Sequence, residues 1–354
     1  MYTRQVLMPQ KEPMKKYSQN RENIIMGVLI IALVATIIFS LTLGRYQISF
    51  YQLYQLSLEK ITGQNQNIDA FVSKVIFEIR LPRVLAAVLI GGALSISGAV
   101  FQALFRNPMV SADILGVTSG AAFGASLGLL IGMASWKVEV MAFAFGIIAV
   151  MSTYFLSSAA RRSSQNTLVL ILSGMVIGTL FKSFISCVKY LADPNDALQA
   201  ITFWLMGSLA LIQLKDLLFL AVPVILGSIP LLFIGWKLNA MAFGEEEAMA
   251  LGIHTEKLKI TVIICSTIIT SACVAISGII GWVGLIIPHL VRMAIGPDNR
   301  LLIPASMLCG GIYLLVIDNI SRTLFSVEIP LSILTSLIGT PFFIYLLFKT
   351  RGDW

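Results

Sequence analysis

Apolar runs long enough to cross a lipid bilayer recur along this chain, and they restrict its fold more than anything else in it. A helix needs about 20 apolar residues to traverse the hydrocarbon core. Runs of that kind are expected over roughly 24–43, 82–105, 112–133, 138–158, 167–189, 216–236, 258–278, 281–295, 302–321 and 330–348, the eighth being the shortest. Lipid offers no partner to a backbone N–H or C=O, so such runs fold as helices that satisfy their own hydrogen bonds. Composition agrees, since 57% of the 354 residues are hydrophobic and only 12% are charged, against about 25% charged in a soluble domain. The expected fold class is all-α, a polytopic membrane protein of about ten transmembrane helices.

Residues 1–23 are polar and basic and read as a cytoplasmic tail, with a transmembrane domain over 24–350. The run beginning at Asn23 ends without a small-residue cleavage pattern, so it is read as a first permanent span and not as a signal peptide. An even number of spans puts both termini on one side of the membrane. That side collects fifteen Lys and Arg residues, including Lys11, Lys15, Lys16, Arg106, Arg161, Arg162, Lys257 and Arg292, against nine on the other. The excess places both termini in the cytoplasm. The net charge of +7 comes from cations spaced singly between apolar runs, with no stripe interleaved by aromatics. Membrane lipid is therefore the expected partner, and nucleic acid is not. Cys187, Cys265, Cys273 and Cys309 all fall in apolar stretches with no C-x-x-C, so they read as small buried hydrophobes, and no metal site or cofactor is expected.

Gly120, Gly124 and Gly128 recur every fourth residue, a ridge that lets a neighbouring backbone come close. Gly278, Gly281 and Gly284 mark a break between the seventh and eighth spans. ITFWLMGSLA (201–210) is too short to cross and reads as an interfacial or re-entrant piece. The inner segment 237–258 has three acidic residues directly after Gly244, then helix formers, then Gly252, a pattern that predicts a short helix with a glycine stop. Asp318 and Arg322 are four apart and can pair on one helical face. Lys182, midway along the fifth span, has no opposite charge near it in sequence and faces either a water-filled path or the headgroups by snorkelling.

No G-x-x-x-x-G-K-[ST] loop is present to cradle ATP phosphates, and neither H-E-x-x-H nor G-x-S-x-G appears. No catalytic residues are assigned. An ion-coupled secondary transporter is the alternative to a primary one, but it would need a charged relay near the membrane midplane, for which Lys182 is the sole candidate.

RLPR (80–83), SGAVFQALFRNP (97–108), DILGVTSGA (113–121), WLMGSL (204–209), LNAMAFGEEEAMALG (238–252), SGIIGWVGLIIPHLVR (277–292) and IPLSILTSLIGTPFF (329–343) follow one another in an order that resembles the FecCD-type permeases. These are the membrane subunits of ABC importers for iron-siderophores, haem and vitamin B12. Two departures stand out. Ile279 and Ile280 occupy a stretch where the family commonly has proline, and Asn299 stands where histidine is frequent, read here as a surface change.

The resemblance implies the type II ABC importer permease architecture, with cytoplasmic ATP-binding subunits, an extracytoplasmic substrate-binding protein and a second permease subunit, either another copy or a paralogue. It implies transport of ferric siderophore complexes, with haem or cobalamin as alternatives, and ATP hydrolysis in a partner subunit. Arg80, Arg83 and Arg322 match positions that dock acidic residues of the binding protein, a task suited to the arginine fork. Anchoring of a helix end at the headgroups is the other reading for Arg80 and Arg83. Gly244, Glu245, Ala248, Leu251 and Gly252 match the segment that seats in the ATPase, the alternative being a solvated acidic loop. Asn166 and Thr167, in SSQNTLVL (163–170), resemble the cytoplasmic gate. His289 matches a recurrent family position and is read as a local hydrogen-bonding group.

Overall fold

The computed structural model describes residues 14–63, 69–160 and 166–349, and within these every regular element is helical. In chain order they are α1 (Met14–Thr42), α2 (Phe50–Thr62), α3 (Ala70–Lys74), a π-helical turn (Val75–Arg80), α4 (Leu81–Leu104), a 3₁₀ turn (Ala112–Leu115), α5 (Val117–Leu130), α6 (Ser135–Ala159), α7 (Asn166–Leu191), α8 (Ala197–Leu205), α9 (Leu214–Phe233), α10 (Gly235–Met241), α11 (Glu245–Ala250), α12 (Thr255–Ser277), α13 (Val283–Ile295), α14 (Asn299–Thr323) and α15 (Leu331–Lys349). Each expected run has its helix. Seven are long and apolar enough to cross a membrane, while α5, α13 and α15 are shorter apolar helices.

Helix α4 is the hub, with α14, α13, α12 and α9 packed around it. It meets α14 backbone to backbone, and a Cβ added at Gly91 would lie 2.2 Å from the Gly310 carbonyl oxygen. The predicted glycine ridge performs the same service for α5. Cβ atoms at Gly120 and Gly124 would each stand 2.4 Å from the carbonyls of Phe145 and Met141 in α6. Dispersion attraction across such close approaches drives helix association where lipid gives no hydrophobic force. In contrast, almost none of the α1 span is buried, and α1 meets the bundle mainly along α14.

The third run is not one helix over 112–133. The 3₁₀ turn comes first, the chain reverses at Gly116, and α5 is only 14 residues long. The turn is pressed into α7, where a Cβ at Gly174 would be 2.1 Å from the Ile114 carbonyl. Asp113 accepts a hydrogen bond from the Thr118 hydroxyl and so ties the turn to the start of α5.

The break after α12 lies where the glycines place it, with Gly278 at φ 69° and Trp282, a non-glycine, at φ 71°. Such a left-handed non-glycine residue is held by its surroundings: the Trp282 ring packs edge-on against Phe343 and lies over Gly339. Segment 201–210 forms the end of α8 and a strap in which Gly207 and Leu209 are buried, with Ser208 N–H donating to Ser277 (2.9 Å) and Gly207 accepting from Leu331 N–H (3.0 Å).

Candidate functional site

One end of the bundle carries the arginines. The Arg80 guanidinium reaches the open C-terminus of α1, where Nη1 donates to the carbonyls of Leu41 (2.7 Å) and Thr42 (3.0 Å) and Nη2 to that of Tyr46. The last carbonyls of a helix have no donors within it, and a cation there also answers the helix dipole. Arg83 turns into the bundle instead. Its Nε donates to both oxygens of Asp318 at 2.9 and 3.0 Å, its Nη2 lies 2.9 Å from Asp318 Oδ1, and its Nη1 donates to Glu328 at 2.9 Å.

Arg322 places Nε 3.8 Å from Asp318 Oδ2 and gives Nη2 to the Ser40 carbonyl (2.6 Å) and to Asn319 Oδ1. All three arginines are buried, and Asp318 has no exposed surface at all. Arg80 and Arg83 therefore do not aim from one face: Arg80 caps α1, and Arg83 holds α14 and the strand of chain bearing Glu328. Asp318 takes its close contacts from Arg83, with its i+4 neighbour Arg322 farther off. Exposed at the same end is Arg45, whose Nη2 donates to the Ser326 carbonyl.

The opposite end carries α11. Gly244 precedes it at φ 139°, a conformation side chains disfavour. Its exit is a Schellman turn: Ile253 N–H donates to the Ala248 carbonyl (3.0 Å), Gly252 N–H to that of Met249 (2.9 Å), and Gly252 sits at φ 81°. Glu245 is clamped to α12 by Lys259, Nζ to Oε2 2.7 Å. Ala248 is fully buried and seats α11 on the bundle, whereas Leu251, Met249 and Phe243 are exposed. The outward face of the segment is thus apolar with a Glu246–Glu247 rim. Phe243 and Met249 are absent from the residues that the sequence singles out here, because helical spacing alone does not tell which face of so short a helix meets the bundle.

A polar clasp joins this segment to the start of α14. Asn239 Nδ2 donates to Asp298 Oδ1 at 2.6 Å, and Asn239 Oδ1 accepts from the N–H and the Nδ2 of Asn299 at 2.8 and 2.9 Å. Asn299 is buried, which corrects its reading as a surface change. Hydrogen bonds from Arg300 hold the Asp298 carboxyl down at about 2, with Asn239 adding to the effect. Asn166 and Thr167 head α7 in the backbone, but their side chains lie outside the described residues. Lys182 lies in the middle third of α7, exposed, with no carboxylate within 4.0 Å among the described residues.

Comparison with known proteins places this arrangement. Residues 32–349 match the FecCD transport family. The chain is 43% identical to the molybdate import system permease protein of Haemophilus influenzae over 91% of this chain and 95% of that one. It is 37% identical to an iron chelatin transport system permease protein of Helicobacter pylori, over 79% of this chain and 84% of the relative. A solved metal-chelate type ABC transporter in an inward-facing conformation superposes with a TM-score of 0.82 at 41% identity, covering 92% of this chain and 99% of that one. With a match of that extent and its motifs in order, this chain belongs to the FecCD transport family and is a multi-pass membrane permease of an ABC importer.

Proposed function

We propose that this permease forms, with a second permease subunit, the path by which a small metal-bearing solute enters the cell across the cytoplasmic membrane. The observation that carries the reading is the difference between the two ends of the bundle. One holds a buried cluster of cations and carboxylates around Arg83, and the other a short, firmly seated helix with apolar residues turned outward. The arginine end faces outward and receives the substrate-binding protein. Arg80, Arg83 and Arg322 supply the positive charge beneath that face, and the exposed Arg45 supplies charge upon it. The α11 end faces the cytoplasm, as do both termini, and seats in an ATP-binding subunit that hydrolyses ATP. Gly244, Glu245, Ala248 and Gly252 shape and hold α11, and Leu251 makes contact. Asn166 and Thr167, at the cytoplasmic head of α7, form the gate.

Ferric siderophore complexes are the cargo expected from the resemblance, and the Helicobacter pylori relative named for iron chelatin supports them. Molybdate is the second reading, supported by the 43% identity to a permease named for it. Uptake into cells with and without the gene decides between them. The panel is radiolabelled molybdate, an anionic ferric tris-catecholate, a neutral ferric trihydroxamate, haem and cobalamin, with the energy source varied. ATP-dependent loss of one cargo on deletion is expected. Uptake that follows the proton gradient and ignores ATP would overturn the proposal in favour of a secondary transporter.

A further inference from the structure

Lys182 belongs to a polar stripe on a face of α7 that the bundle leaves open. Thr179, Lys182, Ser183 and Ser186 are all exposed, and at 100° per residue they fall within an arc of about 100° of the helix, which Met175 and Leu172 continue one and two turns earlier. The three hydroxyls donate to the carbonyls four residues back, at 2.8 to 3.1 Å, which leaves their acceptor lone pairs turned outward. An ammonium at this depth is costly against lipid, and such groups face a bundle interior or a water-filled cavity.

A second observation points the same way from another part of the chain. The 3₁₀ turn at Ala112–Leu115 packs against the middle of α7 through Gly174 and Gly178. Non-helical backbone at membrane depth is tolerated only where protein buries it or water reaches it. Its Asp113 is exposed, accepts a hydrogen bond from Thr118, and has no cation within 4.0 Å among the described residues.

Resting on the importer reading above, we infer that Lys182 is an anion-holding site halfway along the translocation path, and that the cargo crosses with net negative charge, as an oxyanion or an anionic metal chelate. A compact, strongly hydrated ammonium suits transit, because it attracts an anion without the bidentate grip of arginine. A conducted species must be bound well enough to enter and loosely enough to leave.

The test uses the complete importer, with its ATPase and binding protein, in proteoliposomes and the same cargo panel. Lys182→Glu is expected to lower uptake of the anionic cargo at least about tenfold, Lys182→Gln less, and Lys182→Arg least. Independently, Lys182→Cys with Cys187→Ser is expected to react with a charged, membrane-impermeant thiol reagent, and the cargo is expected to slow that reaction. Unchanged uptake in Lys182→Glu, an unreactive thiol in the Lys182→Cys variant, or a wild-type protein that carries only the neutral members of the panel would each overturn the inference and leave the importer reading standing. If the wild-type protein moves no member with ATP, the importer reading falls and the inference with it.

Discussion

Replacing Arg83 with methionine keeps the aliphatic volume and removes the fork that holds Asp318. In the bundle Arg83 makes three contacts to Asp318 at 2.9 to 3.0 Å, and Asp318 is shut off from solvent. Without Arg83, the nearest remaining cation is Arg322, with Nε 3.8 Å away. Two magnitudes compete. An ordinary hydrogen bond between membrane helices averages about 0.6 kcal/mol in double-mutant cycles. Removing one partner of a buried ion pair costs about 3–5 kcal/mol, because a charge is stranded, while replacing both by apolar groups is often neutral. The complete burial of Asp318 puts this pair in the second class.

Arg83→Met is therefore expected to destabilise the permease by about 3 kcal/mol or more, and Arg83→Met with Asp318→Leu to recover most of that loss. Denaturant unfolding of the purified permease in detergent measures the cycle, and affinity for the binding protein is read on the same samples. Stability restored without restored binding separates a docking role from a structural one. A loss below about 1 kcal/mol for Arg83→Met, or additive single and double changes, would refute the assignment of Arg83 as the mate of Asp318.

Three further outcomes are expected. Ala248→Glu forces a carboxylate into a site with no free surface, so α11 detaches and ATP hydrolysis proceeds without uptake; ATPase and transport rates measured together check this, and preserved coupling counts against it. Gly252→Ala meets no atom within 4 Å of the added Cβ, so its cost is that of the left-handed backbone alone, about 1 kcal/mol, read as a small drop in unfolding midpoint. The Asp298 carboxyl is held at about 2, below its unfolded value of about 3.9. The stability it contributes is present above about pH 4 and is lost as pH falls toward 2, so amide exchange around α10 is expected to be flat from pH 7 to 5 after correction for the intrinsic rate, and to rise only below about 4. Asp298→Asn removes that acid step.

Much of this fold is written in local pattern. Apolar length alone locates every principal helix, because the bilayer sets the length, and Gly120, Gly124 and Gly278 announce their close approaches and their break. What pattern could not convey is long-range partnership. Arg80 and Arg83 look alike in sequence, three residues apart, yet they serve different helices because a π-helical turn leads directly into α4. Asn299 looks like surface until Asn239, 60 residues away in the chain, closes on it. The third run looks continuous because Ala112–Leu115 is as apolar as the helix after it; only the α7 glycines, which receive the turn, account for the break.

The pairing of Arg83 with Asp318 spans 235 residues of chain, and this separation bears on biogenesis. At about 5–20 residues per second, α14 leaves the ribosome roughly 10–50 s after α4. During that interval the guanidinium of Arg83 has no carboxylate, and lipid phosphates at the membrane surface are the groups able to receive it. The C-terminal carbonyls of α1 wait in the same way, first for Arg80 and then for Arg322. The arginine end thus closes late, and a nascent permease truncated before Asp318 would present to quality-control proteases an α4 packed on its neighbours but with Arg83 lacking its carboxylate mate.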